Sequence, residues 1–254
     1  MQLLIYPPHL QGVGAFDGGA IQEQKPVAFP HERSVVKRVG PLFYWSWFHA
    51  EERGHIPLHP HSGFEIMTYV IHGKAEHKDT LGTHSTVGAG GAQVMQTGSG
   101  VSHEENMIGP RMEGFQIWFE PYLKESMKLH PAYAAYEEAS FPTRSNKGFS
   151  MKTVLGEGSP ITITADARMW DVEVAAGTPY MQTIPKDRAL AVLAVRGGGV
   201  VSSGGKEAKF HVKDFILLNA YEEAEVRFQA HEDAGLRLVL IEVPITVDYP
   251  LYRK

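Results

Sequence analysis

The sequence predicts an all-β protein that contains two copies of one barrel or sandwich domain. Short runs rich in β-branched and aromatic residues alternate with glycine turns along most of the chain, as in such folds. The pattern "TYVIHGKAEHKD…STVGAGGAQVM" in the first half is similar to "LAVRGGGVVSSGG…FHVKDFILLNA" in the second. Each copy is a strand that ends at glycine, a hairpin and a further strand, so we expect an internal duplication.

The border between the two copies is expected in the polar stretch "FPTRSNKGF", residues 141–149, which contains proline and glycine. This predicts an N-terminal domain of residues 1–140 and a C-terminal domain of residues 141–254. Helical patterns are rare. The best helix candidate is residues 123–139, and Pro131 would split it.

Composition excludes several classes of function. The net charge is −5 and no basic stripe is present, so direct nucleic-acid binding is not expected. The first residues, "MQLLIYPPHL", have no positive start and too short an apolar run for a signal peptide, and no apolar stretch is long enough for a membrane span. We therefore expect a cytoplasmic protein without membrane contact. Monomer is the expected state, because two fused domains can bury each other's faces.

The absence of cysteine limits the chemistry further. With no cysteine in the chain, disulfides, thiolate catalysis and iron–sulfur sites are excluded. A metal ion would need nitrogen and oxygen ligands, a set that suits iron, manganese, nickel, copper or zinc.

Histidine is concentrated in one part of the chain. Seven of the 13 histidines lie between His55 and His103. His59 and His61 are two residues apart, as are His103 and Glu105, so each pair shares one face of a strand. In an antiparallel barrel the two pairs can face each other across the interior. Three imidazoles and one carboxylate would then converge on one metal ion and leave two positions open on a six-coordinate ion.

The same residues carry a resemblance to a known family. "HPHSGFEIMTYVIHGKAEHKDTLG", followed by "GSGVSHEENM", resembles the pirin family of bicupins. "VGPLFYWSWF" and "GFQIWFEP" are similar to two further strands of that family. The close resemblance covers roughly residues 34–125. It implies two tandem cupin barrels of the jelly-roll type, also called double-stranded β-helices.

The resemblance also implies a ligand set. His59, His61, His103 and Glu105 would ligate a metal, usually iron, in the N-terminal barrel. The C-terminal barrel would be metal-free, and its His211 and His231 are indeed isolated in the sequence. An alternative remains open, because the general cupin pattern takes its carboxylate three or four residues after the histidine pair, where Glu65 lies. In the pirin-like reading, Glu65 instead supports a histidine ligand.

This chain departs from the family pattern beside the ligands. Ser62 replaces the usual arginine, and Leu58 replaces a common aspartate. Asn106 follows Glu105, so that Met107 comes one place late. These changes put the substrate and the charge of the site in question more than metal binding itself.

Other residues near the motif are expected to have ordinary roles. We predict that His72, His77 and His84 are solvated strand or loop residues, and that His55 lies at the rim of the site. Four aromatic residues near the motif are expected in the core: Phe64, Tyr69, Phe115 and Trp118. Of these, Phe64 and Trp118 are expected to shape the floor of a cavity as well.

The resemblance leads to two hypotheses of function. The first is a quercetin 2,3-dioxygenase-like enzyme that opens flavonols with O2 and releases carbon monoxide. Its metal would be Fe2+, or Mn, Ni, Cu or Zn, and Glu105 would be the catalytic base. The second is a metal-containing regulatory protein, either a redox-sensing co-regulator or a modulator of a metabolic enzyme, which binds a protein partner. An open apolar pocket that reaches the metal would favour the enzyme.

Overall fold

Strands make up nearly all regular structure in the computed structural model, which describes residues 1–252. Up to residue 140 the elements are β1 (Gln2–Tyr6), β2 (Gly12–Phe16), β3 (Ile21–Val27), β4 (Leu42–Ala50), β5 (Arg53–His61), β6 (Glu65–Asp79), β7 (His84–Gly88), β8 (Ala92–Gln96), β9 (Val101–Phe119), α1 (Leu123–Ser126) and β10 (Ala132–Tyr136). Short 3-10 turns cover Pro8–Leu10, Asp17–Gly19 and Glu138–Ser140. The all-β prediction is confirmed.

The second part of the chain continues the same pattern. Its strands are β11 (Thr143–Ser145), β12 (Phe149–Leu155), β13 (Arg168–Val174), β14 (Pro179–Ile184), β15 (Arg188–Arg196), β16 (Gly199–Ser203), β17 (Lys206–Phe210), β18 (Phe215–Ala220), β19 (Ala224–Ala230) and β20 (Leu236–Pro244). No helix among the described residues is long and apolar enough to cross a membrane.

The chain forms two compact units, and the first of them, the N-terminal unit, comprises residues 11–140, 160–165 and 248–252. Its sheet has the order β10-β8-β6-β9-β4-β3-β2, with β5 paired to β9 and β7 paired to β6. All these pairs are antiparallel. The long strands β6 and β9 therefore form the spine of the unit.

The C-terminal unit comprises residues 1–10, 141–159 and 166–247. It has one sheet of order β1-β18-β15-β20-β13-β12-β11 and another of order β14-β19-β16-β17. Its core is a continuous apolar cluster that includes Leu190, Phe210, Phe228 and Leu238, all fully buried. The division into functional domains of residues 1–140 and 141–254 stays a prediction.

The helix expected over residues 123–139 is for the most part wrong. Only Leu123–Ser126 is α-helical, and Ala132–Tyr136 is the strand β10, paired with β8. The alanines of this stretch favour a helix in isolation. Pairing with the exposed edge of β8 overrides that weak preference, because it satisfies the backbone groups of the segment that face β8.

The turn between β5 and β6 requires glycine. Gly63 has a φ of +82°, where a side chain is strained, and an added Cβ would lie 2.8 Å from Leu123 Cδ2. The Gly63 N–H donates to the Gly98 carbonyl at 2.8 Å, and its own carbonyl accepts from Ser126 Oγ. This turn connects the strand that carries His59 and His61 to the long β6.

Candidate metal centre

Three adjacent strands carry the polar residues of the site, with β9 between β5 and β6. His103 on β9 lies opposite His59 on β5 in register and opposite Asp79 on β6. One pair further along, Glu105 lies opposite His77. Residues opposite each other in antiparallel strands point to the same face, so all these side chains share one face of the sheet.

The structure brings three of the four predicted ligands together. One ring nitrogen each of His59, His61 and His103 lies within 4.8 Å of the other two, and the group could hold a metal ion. The ring centroids are 4.4 Å apart for His59 and His103 and 5.0 Å for His61 and His103. His103 is buried, whereas His59 and His61 are half-buried. One side of the cluster is therefore closed by protein and the other is open.

The expected arrangement across a barrel interior is wrong in one respect. The two motif strands are hydrogen-bonded neighbours, and His59 pairs directly with His103. A register shift in β5 between Ile56 and His59 sets which residues of that strand lie opposite His103. Side-by-side pairing brings the imidazoles together at the distance between neighbouring strands, without a barrel to cross.

The nitrogen atoms of the cluster fit a metal ion. His59 Nδ1 lies 2.7 Å from the Pro57 carbonyl oxygen, which accepts only from a protonated nitrogen and so leaves Nε2 with a lone pair. His103 Nε2 is buried without a hydrogen-bond partner. A buried polar atom of this kind is costly unless something binds it, and a metal ion is the partner that an imidazole lone pair suits. Burial, helped by the neighbouring His59 and His77, lowers the pKa of His103 to about 3, so the ring is neutral as a ligand must be.

Glu105 lies outside the group of three imidazoles. Its carboxylate is buried, accepts from Gln116 Nε2 at 2.7 Å and lies 3.4 Å from Thr68 Oγ1. Trp118 in turn donates its indole N–H to Gln116 Oε1 at 3.3 Å. Gln116 therefore holds the carboxylate on the face that carries the histidines. Metal ligation by Glu105 stays a prediction.

Glu65, the alternative carboxylate, has a different set of partners. Its side chain is buried and accepts from Gln96 Nε2 at 2.8 Å. It also accepts from the backbone N–H groups of Thr164 and Ala165 at 2.5 and 2.9 Å. Through these contacts Glu65 binds the segment of residues 160–165, which is distant in sequence but belongs to the same unit. Like Glu105, Glu65 is outside the group of three imidazoles.

The other histidines divide between exposed and buried positions. His72 and His84 are exposed, as expected, and His55 is half-buried. The interpretation of His77 as a solvated residue is wrong, because its side chain is only 1% exposed. The hairpin sequence does not indicate this burial, because it depends on Tyr133, whose ring stacks on that of His77 with the centroids 4.2 Å apart.

Asp79 is a residue of this region that the sequence reasoning missed. Its carboxylate is fully buried and lies 2.9 Å from His77 Nε2. Burial raises the pKa of Asp79, but hydrogen bonds from His77, Thr83 and Leu81 outweigh that effect and hold the pKa below its usual value. A signal was present, because "HKD" repeats the two-residue spacing of the ligand pairs.

A cavity of about 680 Å3 opens beside the cluster, with His61 in its wall. The aromatic side chains of Phe29, Phe64 and Trp118 line it together with Ser62 and other small polar residues. The prediction that Phe64 and Trp118 shape a cavity is confirmed, and Tyr69 and Phe115 are core residues. Phe29 is an unexpected member, since nothing in its sequence context marks it. Within residues 1–252, no lysine or arginine lines this cavity.

Comparison with known sequences places the chain in a family. The sequence model of the family described as Pirin matches residues 34–119. A pirin-like protein of Caulobacter vibrioides is 31% identical over 204 residues, which cover 79% of this chain and 83% of that protein. The chain belongs to the pirin family. Another pirin-like protein of the same organism is 37% identical over 156 residues. The aligned part covers 58% of this pirin-family chain and only 56% of the relative's length.

Solved structures confirm the predicted fold of two tandem cupin barrels. The bacterial pirin YhhW of Escherichia coli in complex with nickel(II) has a TM-score of 0.75 at 21% identity, with 96% of this chain and 99% of that one covered. A quercetin 2,3-dioxygenase of Acinetobacter baumannii has a TM-score of 0.80 at 20% identity, over 99% of this chain and 88% of that one. At these identities the structures show the fold alone.

Proposed function

We propose that this pirin-family protein is a metal-dependent dioxygenase that opens flavonols such as quercetin with O2. The observation that carries the proposal is the position of the three imidazoles, one of which forms part of the wall of an aromatic cavity of about 680 Å3. That volume lies within the range of roughly 300 to 1,000 Å3 found for small-molecule sites. The fold that it shares with a quercetin 2,3-dioxygenase of A. baumannii agrees with this activity.

The proposed metal ligands are His59, His61 and His103, with Glu105 as the carboxylate. Nitrogen and oxygen donors suit Fe2+, our first choice, and also Mn, Ni, Cu and Zn. Nickel is the ion bound to YhhW, which shares the fold. When bound, a divalent ion supplies Lewis-acid polarisation of a substrate hydroxyl and lowers its pKa.

The residues of the cavity would bind and orient the substrate. A flavonol is planar, and its rings can pack against the aromatic wall formed by Phe29, Phe64 and Trp118, as aromatic pairs prefer. Ser62 and Ser102 offer hydroxyl groups to the polar edge of the substrate. The described residues that line this cavity carry no positive charge apart from what His61 could gain, and this favours a neutral polyphenol over a strongly anionic ligand.

Glu105 is the proposed proton acceptor for the flavonol hydroxyl. Gln116 holds its carboxylate by a donated hydrogen bond, so that one oxygen is fixed and the other is left with the weaker contact to Thr68. Loss of the proton gives an electron-rich enolate, to which O2 adds. One flavonol and one O2 then yield one ring-opened ester and one carbon monoxide, which conserves all atoms.

The regulatory alternative is less well supported. A regulator does not need a roomy cavity at its metal site, whereas an enzyme does. The cavity that reaches His61 therefore favours catalysis. A protein partner and a cytoplasmic location remain predictions from the sequence.

The test is anaerobic loading of the metal-free protein with Fe2+ or Mn2+, followed by quercetin and O2. We expect metal-dependent loss of flavonol absorbance with release of one carbon monoxide per flavonol consumed. His103→Ala should abolish turnover, since it removes the buried ligand.

His84→Ala is the matched control, because His84 is exposed and bonded to Glu76 outside the cluster. It should turn over like the wild type. Wild-type protein that retains bound metal but consumes no flavonol would refute the proposed activity and leave the metal centre standing.

A further inference from the structure

A buried histidine and a buried aspartate stand behind the candidate ligand His103. His77 Nε2 lies 2.9 Å from Asp79 Oδ2, and both side chains are almost wholly buried. The other ring nitrogen, His77 Nδ1, lies 3.4 Å from His103 Nδ1. The three side chains form a continuous hydrogen-bonded row that ends at the cluster.

The protons along this row follow from what each group can do. An ionised carboxylate only accepts, so the hydrogen between Asp79 and His77 belongs to His77 Nε2. A neutral His77 then has an acceptor at Nδ1, and this atom can bond only to a protonated Nδ1 of His103. The lone pair of His103 is thereby placed on Nε2, the buried atom without a hydrogen-bond partner.

The row is also held in orientation. Asp79 Oδ1 accepts from the backbone N–H groups of Leu81 and Thr83 at 2.9 and 3.0 Å, which leaves Oδ2 for His77. The Tyr133 ring stacks on the His77 ring at an interplanar angle of 18°, and its hydroxyl donates to Gln93 Oε1 at 2.8 Å. Neither side chain of the Asp79–His77 pair can turn without breaking these contacts.

We propose that Asp79 and His77 are positioning residues that fix the tautomer and the ring orientation of the metal ligand His103. This rests on the proposed metal site. For His59, the backbone carbonyl of Pro57 fixes the tautomer in the same way. Loss of such an outer partner typically weakens metal binding by about 10 to 100 times.

Asp79→Asn is the sharpest variant. The two backbone N–H groups hold the amide oxygen in the Oδ1 position, so the amide NH2 has to face His77 Nε2. His77 must then accept at Nε2 and donate from Nδ1, which reverses the row. The proton of His103 moves to Nε2, the atom that should bind the metal.

The first measurement uses the metal-free wild-type protein and does not depend on any variant. Long-range proton–nitrogen NMR correlations report which ring nitrogen of each histidine is protonated. We expect Nε2–H at His77 and Nδ1–H at His103, and both reversed in Asp79→Asn. Nε2–H at His103 in the wild type would overturn the proposal.

The second measurement is calorimetric titration with Ni2+. Asp79→Asn should bind about 10 to 100 times more weakly than the wild type. The control is Glu76→Gln, which alters the exposed His84–Glu76 hydrogen bond of 2.7 Å, a histidine–carboxylate pair outside this row. It should bind normally. Wild-type affinity in a folded Asp79→Asn would refute the positioning role, whereas absent flavonol turnover with normal Ni2+ binding would refute only the enzymatic proposal.

Discussion

The two units of the chain build similar strand patterns around very different interiors. In the N-terminal unit, one face of β5, β6 and β9 carries His59, His77, His103 and Glu105. In the C-terminal unit, the buried cluster consists of aliphatic and aromatic side chains, and its three histidines, His9, His211 and His231, are exposed. The repeated fold therefore supplies the frame, and a few residues on one sheet face decide where chemistry can occur.

The same contrast separates two kinds of mutational effect. An apolar core residue contributes stability through contacts that a smaller side chain cannot replace. A buried imidazole such as His103, with one ring nitrogen left without a partner, contributes little to stability in the metal-free protein, because the desolvation of that nitrogen is uncompensated. Substitutions in the two units should thus differ in what they change as well as in how much.

The largest effect on stability is expected from Phe228→Ala in the C-terminal unit. Phe228 is fully buried and contacts Tyr180 and Phe210. Its truncation should lower the free energy of unfolding by about 3 to 5 kcal/mol. Denaturant unfolding measures the loss, and elemental analysis should find unchanged metal per folded molecule. Loss of metal from folded Phe228→Ala would break the separation between the units.

The opposite result is expected from His103→Leu. Ni2+ affinity should fall by at least about 100 times, because a leucine offers no lone pair. Stability of the metal-free protein should change by only about 1 kcal/mol, since the variant removes one unpartnered nitrogen and leaves another on His77. Calorimetric titration measures the Ni2+ affinity, and denaturant unfolding measures the stability. A large loss of stability would mean that His103 is chiefly a structural residue.

Stability of the N-terminal unit should depend on pH through His103. Burial lowers the pKa of His103 from 6.5 to about 3, so the unfolded chain binds the extra proton between these values. Stability of the metal-free protein should therefore fall as the pH drops through this window, by about 1.4 kcal/mol per pH unit from this group. His103→Leu should show a shallower slope by that amount. Equal slopes for the two proteins at pH 6, 5 and 4 would contradict the prediction.

The smallest expected difference compares glycine turns in the two units. Gly204 has a φ of +55° with open space around an added Cβ, so Gly204→Ala should cost about 1 kcal/mol. Gly63→Ala should cost about 2 kcal/mol, because its Cβ would also press on Leu123. Thermal unfolding of both variants measures the difference. Equal losses of stability would show that the Leu123 side chain moves away from the added Cβ without a loss of free energy.

Much of the site could be predicted because its signals are local. The two-residue spacing of His59 and His61, and of His103 and Glu105, places each pair on one side of a strand whatever the rest of the chain does. The strand pattern and the motif glycines then led to the correct fold and family. The helix expected over residues 123–139 failed because its outcome depended on a distant strand edge, that of β8.

The sequence by itself determined the strands, the duplicated pattern and the identity of the candidate histidines, since alternation and spacing are properties of neighbouring residues. Only the tertiary structure decided which strands are adjacent, and thus that His59 lies beside His103. It also decided the roles of His77 and Glu65. The ring of Tyr133 covers His77, and the backbone N–H groups of Thr164 and Ala165 donate to Glu65, so both depend on residues far along the chain. Burial and hydrogen bonding of a polar side chain depend on such distant partners, and no local pattern encodes them.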